Sequence, residues 1–301
     1  MAIFDNLPGG QQHFGVVVGV DGSAPSDAAV RWAAREAAMR KLRLTLVHAL
    51  ATPALLWPAA PMPTELRQRQ EVDARAIIDD AVKIAEDTIT DGGPAEIEGQ
   101  LFFSAPVPTL VDISKDADMV VVGARGLGAV RSVLLGSVST GLVHHAHCPV
   151  AVIHHEASPQ SRAVHAPVLL GSDGSPASEL ATAIAFEEAS LRGTRLVALH
   201  AWRDADMAHI PSMEWSAMQS AAEETLAERL AGWRERYPDV SVTRIVVYDR
   251  PATHLLDRSE SAQLVVVGSH GRGGFTGMLL GSVSTAVAHA TRTPVIVARS
   301  H

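Results

Sequence analysis

The chain repeats itself, and this repetition limits what it can fold into more than any other feature. The seven residues LLGSVST occur at Leu134–Thr140 and again at Leu279–Thr285, an offset of 145 residues. Asp21, in the segment VDGS, matches Asp173 in SDGS at an offset of 152 residues. A repeat of this length is too long for a solenoid unit and has the size of a free-standing domain. The sequence therefore predicts two copies of one domain in tandem.

The offsets also predict where the two copies begin, end and differ. We expect a first domain over residues 1–156, a polar, proline-bounded linker over 157–166 and a second domain over 167–301. Because the offset falls from 152 to 145 along the chain, the first copy carries seven extra residues. The proline-rich segment Ala51–Glu65, which is typical of a long loop, is the expected place for them.

Composition excludes several classes of protein. With 47% hydrophobic and 19% charged residues, the chain is typical of soluble globular proteins with large cores. A formal net charge of −8 argues against nonspecific binding to nucleic acid, since no basic run is present to neutralise phosphates. The single cysteine, Cys148, cannot form an intramolecular disulfide. No signal peptide and no membrane-spanning run is recognisable, so we expect a cytoplasmic protein without membrane insertion.

Within each copy, short apolar runs alternate with amphipathic stretches. Val16–Val20 is typical of a buried strand, and Ser26–Lys41 has apolar residues at helical spacing with Ser26 as the expected cap. The same alternation continues through a long predicted helix at Thr64–Ile89 and a short predicted helix at Pro108–Ala117, opened by its proline, to a fifth strand at Pro149–His154. The pattern predicts an α/β fold of two tandem doubly wound domains, each with a five-stranded parallel sheet flanked by helices.

Special residues follow two strands in each copy. Asp21 follows the first strand, and the segment Gly123-Ala124-Arg125-Gly126 follows the fourth. Ligands of open α/β sheets bind beyond the carboxyl ends of the strands, where the winding direction reverses. If the reversal lies between strands one and four, these residues face one crevice, and the glycines let the backbone turn sharply and approach a ligand.

A serine-rich helix start follows the glycines. Gly136 and Ser137 lie at the start of a predicted helix, where free N–H groups and the helix dipole favour an anion. The spacing G-x2-G-x9-G-S occurs twice, and its second copy comprises Gly268, Gly271, Gly281 and Ser282. The sequence therefore predicts a phosphate site in each domain, which would explain why LLGSVST is repeated.

These motifs, together with VDGS after the first strand, resemble the ATP-binding branch of the universal stress proteins over nearly the whole chain. The resemblance implies a strand order of 3-2-1-4-5 and one ATP per domain, bound together with Mg²⁺. It also implies pairing through the fifth strands, either in a homodimer or between the domains of one chain. It also implies a role in stress response and growth control. The implied nucleotide-binding residues are Asp21, Ala49, Gly123, Gly126, Gly136, Ser137 and Ser139 in the first domain and Asp173, Ala201, Gly268, Gly271, Gly281, Ser282 and Ser284 in the second.

Each site residue also has a purely structural interpretation. Asp21 and Asp173 could satisfy backbone donors in a turn before a helix. The Gly-Ser pairs could be ordinary helix-start chemistry. Arg125, Arg131, His270 and Arg272 fit solvated surface positions as well as phosphate contacts, and the two copies differ most there.

Three other features are weaker candidates for chemistry. The run His144–Cys148 resembles a metal cluster, but only His144 recurs in the second copy, as His289, so we expect packed or solvated side chains. His48 and His200 end predicted strands, and we expect them to be satisfied core histidines. Cys148 has no repeated partner, and we expect a buried structural thiol.

The motifs leave three functions open. The first is a regulator that binds ATP without rapid catalysis, because no phosphate-binding lysine and no repeated acidic pair accompany the glycines. The second is a slow Mg²⁺-dependent ATPase or phosphotransferase. The third is a dimeric scaffold that binds no nucleotide.

Overall fold

The computed structural model describes residues 13–51, 64–89, 93, 96–126, 135–154, 165–202, 212–271 and 280–299. Arg131 and Arg272, two candidate phosphate contacts, lie outside these ranges. Among the described residues, no helix is long and apolar enough to cross a membrane.

Strands and helices alternate in both copies, as the apolar runs predict. The first copy contains β1 (Gly15–Gly19), α1 (Ala24–Arg40), β2 (Leu44–Ala49), α2 (Thr64–Thr88), β3 (Ile97–Phe102), α3 (Pro106–Ile113), β4 (Ala117–Gly123), α4 (Ser137–His145) and β5 (Val150–Ile153). The second contains β6 (Val168–Gly171), α5 (Pro176–Leu191), β7 (Leu196–Trp202), α6 (Ser212–Arg236), β8 (Val242–Tyr248), α7 (Pro251–Ser259), β9 (Leu264–Gly268), α8 (Ser282–Ala290) and β10 (Val295–Ala298).

The ten strands form one continuous sheet, in the order β3-β2-β1-β4-β5-β10-β9-β6-β7-β8. Each half has the order 3-2-1-4-5, counted within its own copy, and its strands are parallel. The predicted fold class and strand order are therefore confirmed. The two fifth strands pair antiparallel, with Ile296 opposite Ala151, so the two domains are joined within one chain.

Helices cover both faces of this sheet. One apolar core joins the sheet to α1, α2, α5 and α6, and the other joins it to α3, α4, α7 and α8. Valine-rich strands suit this position, because a parallel strand buried on both faces needs apolar side chains at every position. Val16, Val17 and Val18 of β1 are all fully buried, and successive residues contribute to opposite cores.

The extra residues of the first copy do not lie in Ala51–Glu65, as the sequence suggested. Ile78 of α2 and Leu230 of α6 are both buried against the core, and they keep the offset of 152. The offset has fallen to 145 by the start of β3 at Ile97 and of β8 at Val242. The difference therefore arises between the end of the long helix and the third strand. Proline content marks a loop but does not show that the loop is longer than its counterpart.

The start of α1 also differs from the prediction. Ser23, not Ser26, caps this helix, and its hydroxyl accepts a hydrogen bond from the Ser26 N–H group. Ser175 caps α5 in the same way. In both helices a proline at the first or second position follows the cap, where its missing N–H group costs nothing.

Candidate functional site

The turn after β1 holds Asp21 in a fixed position. The Asp21 Oδ1 atom accepts a hydrogen bond of 3.0 Å from the Ser23 N–H group, and the Asp21 N–H group donates to the Ser26 hydroxyl at 3.2 Å. Asp173 has the same two bonds, to Ser175 at 2.9 Å and to Ser178 at 3.1 Å. One carboxylate oxygen of each aspartate therefore serves the turn, as the structural interpretation requires.

The other oxygen of Asp21 is directed at the glycine motif after β4. A Cβ atom at Gly126 would overlap Asp21 Oδ2, and one at Gly271 would overlap Asp173 Oδ2. Glycine is required at both positions because the carboxylate occupies the space of a side chain. The structure thus brings the ends of the first and fourth strands together in both domains, where the strand order reverses.

Gly123 and Gly268 are needed for a different close approach. A Cβ atom at Gly123 would lie 2.8 Å from the carbonyl carbon and oxygen of Pro25, and one at Gly268 would lie 2.8 Å from the carbonyl carbon of Ala177. Each glycine therefore lets the end of its strand pack against the first turn of α1 or α5. Sequence reasoning attributed this close approach to a ligand, whereas the neighbour observed there is the protein's own backbone.

The serine-rich helix starts lie beside these glycines. The Gly136 N–H group donates to the Ala124 carbonyl at 2.7 Å, and the Ser139 hydroxyl donates to the Gly123 carbonyl at 2.7 Å. Gly281 and Ser284 make the corresponding bonds to Ser269 and Gly268. Ser139 and Ser284 are buried and use their protons to hold the helix onto the strand end. Ser137 and Ser282, at the first helical position, are less buried.

The second strand ends in a buried histidine in each domain. His48 Nδ1 lies 2.7 Å from the Val20 carbonyl oxygen, and His200 Nδ1 lies 2.7 Å from that of Ser172. A carbonyl only accepts hydrogen bonds, so Nδ1 carries the proton in both rings. The expectation of satisfied core histidines is confirmed. Ala49 and Ala201, the next residues, are the predicted backbone contacts for a base.

A cavity of about 410 Å³ opens at these strand ends in the first domain. All seven predicted residues of this domain line it, namely Asp21, Ala49, Gly123, Gly126, Gly136, Ser137 and Ser139. Arg125 also lines it, although the residue as a whole is exposed, so a ligand contact and a solvated surface position both stay open. Apolar side chains complete the wall, including Val20, Val47, Leu110, Val122, Leu135 and Val138.

Sequence reasoning missed the contribution of α3 to this cavity. Pro106 and Leu110, on its first turn and a half, line the wall. The sequence placed the helix start at Pro108, but the observed helix begins at Pro106. A proline at either position opens a helix equally well, so the local signal could not distinguish them.

In the second domain the same contacts assemble the predicted residues. Asp173 lies against Gly271, Ser284 bonds to Gly268, and a Cβ atom at Gly281 would lie 3.4 Å to 3.6 Å from backbone atoms of residues 269–271. Ser175 adds a hydrogen bond of 3.0 Å from its hydroxyl to the His270 carbonyl. Ala201 lies at the end of β7, and Ser282 begins α8.

Comparison with known proteins agrees with this duplicated geometry. A sequence model described as the universal stress protein family matches the chain twice, over residues 15–154 and 166–299. The chain belongs to the universal stress protein family.

Relatives in this family span almost the whole chain. Universal stress protein Rv2005c of Mycobacterium tuberculosis (strain H37Rv) is 57% identical over 289 residues, covering 96% of this chain and 98% of the relative. Universal stress protein Rv2623 of the same strain is 54% identical over 293 residues, covering 97% and 99%. Among solved structures, a universal stress protein from Archaeoglobus fulgidus has a TM-score of 0.67 at 19% identity, covering 96% of this chain and all of that chain, and so shares the fold.

The histidine-rich segment of this universal stress protein does not assemble a metal site. Among the described residues, no group of three or more histidine, cysteine or acidic side chains could hold a metal ion. Burial raises the pKa of the Cys148 thiol to about 12, so the thiol stays protonated at neutral pH. Burial, reinforced by the neighbouring charges of His145 and Arg299, lowers the pKa of His144. Cys148 is thus a buried thiol, as the sequence predicts, whereas His144 is partly buried and His145 is exposed.

Proposed function

We propose that each domain of this universal stress protein binds one adenine nucleotide, with ATP as the ligand, and that occupancy regulates interactions in stress response or growth control. The observation that carries the proposal is the first-domain cavity, because all seven residues chosen from the sequence line it. A mostly apolar pocket with a few convergent polar groups is the usual form of a small-molecule site.

The lining contains groups that suit different parts of a nucleotide. Helix α4 begins with Ser137, and the first N–H groups of a helix have no partner within the helix. These groups, the positive end of the helix dipole and the Arg125 guanidinium favour phosphates. Asp21 and the backbone of Ala49 offer hydrogen-bonding groups for ribose and adenine.

The lining supports binding better than rapid hydrolysis. Among the residues that line the described cavity, Asp21 is the one carboxylate and Arg125 the one guanidinium. Phosphoryl transfer usually requires metal ligands, a positioned water and several positive charges around the phosphates. We therefore propose that Mg²⁺ enters with the phosphates of ATP and that turnover is slow or absent.

The first test is the identity and amount of nucleotide released when freshly purified protein is denatured. The proposal predicts about two ATP per chain, one for each domain, and a thermal shift on addition of Mg-ATP to nucleotide-free protein. Release of ADP, together with turnover of labelled ATP, would favour the slow ATPase instead. Absence of both nucleotide and thermal shift would contradict the proposal and favour a scaffold.

A further inference from the structure

Four charged side chains form a buried network where α1 meets α5. Arg40 bonds to Glu36 on its own helix and to Glu188 on α5, both at 2.5 Å. Arg192, the residue that follows α5, bonds to Glu188 on that helix and to Glu36 on α1, the latter at 2.7 Å. Both glutamate side chains are fully buried, and the side chains of Arg40 and Arg192 are 14% and 10% exposed.

The network follows the symmetry of the duplication. Glu36 and Glu188 are related by the offset of 152 residues, and so are Arg40 and Arg192. Each domain thus supplies one glutamate and one arginine, and each arginine holds a carboxylate of both domains. Glu187 also contacts Arg40, at 2.9 Å, and the Trp32 ring lies 5.8 Å from the Arg192 guanidinium carbon.

Each helix of the network begins at a candidate site. The first turn of α1 packs its Pro25 backbone against Gly123, and its Ser26 hydroxyl binds the Asp21 N–H group. The first turn of α5 makes the same contacts through Ala177 and Ser178. One helix therefore runs from each site to the network, and the two helices are tied together at their far ends.

We propose that this network couples the two candidate sites, so that a change at one site is transmitted along α1 and α5 to the other. The physical reason is that a buried charge cannot be left without its partner, so a shift of one helix displaces the other. The proposal rests on the proposed function for the identity of the ligand. The coupling between α1 and α5 does not itself require a nucleotide.

The network also contains a group that titrates. The two buried carboxylates share the same two guanidiniums, so they titrate as a pair. Burial and the charge of Glu36 raise the pKa of Glu188 to about 8, whereas Glu36 remains ionised beside Arg192 and Arg40. Glu188 contacts one arginine of each domain, so gain or loss of its proton changes contacts in both domains.

The first experiment uses the ligand-free, full-length chain. Ser26→Ala removes the hydroxyl that anchors α1 to the Asp21 turn, and hydrogen exchange is measured at residues 173–178 in the other domain. We expect exchange there to change at least about threefold, since couplings between sites are commonly five- to 150-fold in equilibrium terms. The reciprocal variant Ser178→Ala should alter exchange at residues 21–26. Unchanged exchange in both directions would overturn the proposal.

The network is then removed as a unit. The variant Glu36→Gln, Arg40→Met, Glu188→Gln, Arg192→Met leaves no buried charge unpaired, a change that often preserves folding. A milder variant, Arg40→Met with Glu188→Gln, keeps the Arg192–Glu36 pair and serves if the first does not fold. Either variant should abolish or reduce the change in hydrogen exchange that Ser26→Ala causes at residues 173–178. The matched control is Glu71→Gln with Arg75→Met, which removes an ion pair within α2 and should leave the response intact.

Titration with ATP separates the two proposals. In a chain whose second site carries Ser282→Phe, at the exposed start of α8, ATP binding to the first site should alter exchange at residues 173–178, and the network variant should lose this effect. If ATP does not bind but the response to Ser26→Ala persists, the proposed function fails and the coupling stands. If ATP binds and neither perturbation crosses the network, the coupling fails and the proposed function stands.

Discussion

At the residue scale, Asp21 combines two roles that substitution can separate. Asp21→Asn keeps an oxygen that can accept from the Ser23 N–H group but removes the charge, whereas Asp21→Ala removes both. We expect Asn to keep the melting temperature within about 2 °C and to weaken ATP binding at one of two sites about tenfold, and Ala to lower both stability and affinity. Calorimetric titration and thermal unfolding measure these effects. Wild-type affinity in the Asn variant would show that Asp21 is a turn residue only.

Two glycines of the same motif should respond differently to alanine. At Gly123 a Cβ atom would lie 2.8 Å from the Pro25 backbone, which has little freedom to move, but at Gly136 the nearest atoms are 3.5 Å away. We expect Gly123→Ala to lower the free energy of unfolding by about 1–3 kcal/mol and Gly136→Ala to change it by less than about 1 kcal/mol. Denaturant unfolding tests this, and equal losses would contradict the contacts described above.

At the scale of the element, the first turn of α4 contains two serines with distinct environments. The Ser139 hydroxyl bonds to the Gly123 carbonyl, so Ser139→Ala should cost about 1 kcal/mol of stability. Ser137 lines the cavity at the first helical position, so Ser137→Ala should leave stability nearly unchanged and weaken ATP binding about threefold to tenfold. Unfolding measures the stability of the two variants, and titration with ATP measures their affinity. A larger loss of affinity in Ser139→Ala would reverse the assignment.

The helix starts show how accurately local sequence predicts the first residue of a helix. The sequence indicated helices after β1 and β3 correctly, but it chose Ser26 over Ser23 as the cap of α1 and Pro108 over Pro106 as the start of α3. In each case a second residue of the same type lies within three positions of the one that was chosen. The choice depends on which residue lets the helix pack against the sheet, and that is a tertiary property.

At the scale of the whole molecule, the interdomain network predicts a dependence of stability on pH. The raised pKa of Glu188, about 8 against 4.5, means that the folded protein holds a proton that the unfolded chain releases. This contribution is fully present below pH 4.5 and is lost as the pH rises through about 8. We expect the melting temperature to fall by about 5 °C between pH 6 and 9. Glu36 acts in the opposite direction, since its pKa of about 2 makes its contribution disappear in strong acid.

The variant Glu188→Gln isolates this effect. Glutamine imitates the protonated acid, so the fall in melting temperature between pH 6 and 9 should become shallower. Glu71→Gln, on the partly exposed i,i+4 pair of α2, is the control and should keep the wild-type slope. Identical slopes in all three proteins would exclude Glu188 as the titrating group.

The sequence by itself determined the duplication, the alternation of strands and helices and seven of the residues that line the first cavity. These features depend on local periodicity and on comparison between the two copies, and both are visible in one chain. Only the tertiary structure decided that the fifth strands join two domains into one sheet, that Gly123 faces Pro25 and that Glu36 and Arg40 meet Glu188 and Arg192. The repeated E-x3-R spacing was present in the sequence, but surface ion pairs on helices have the same spacing. Burial distinguishes the two cases, because it depends on which helices the ten-stranded sheet brings together.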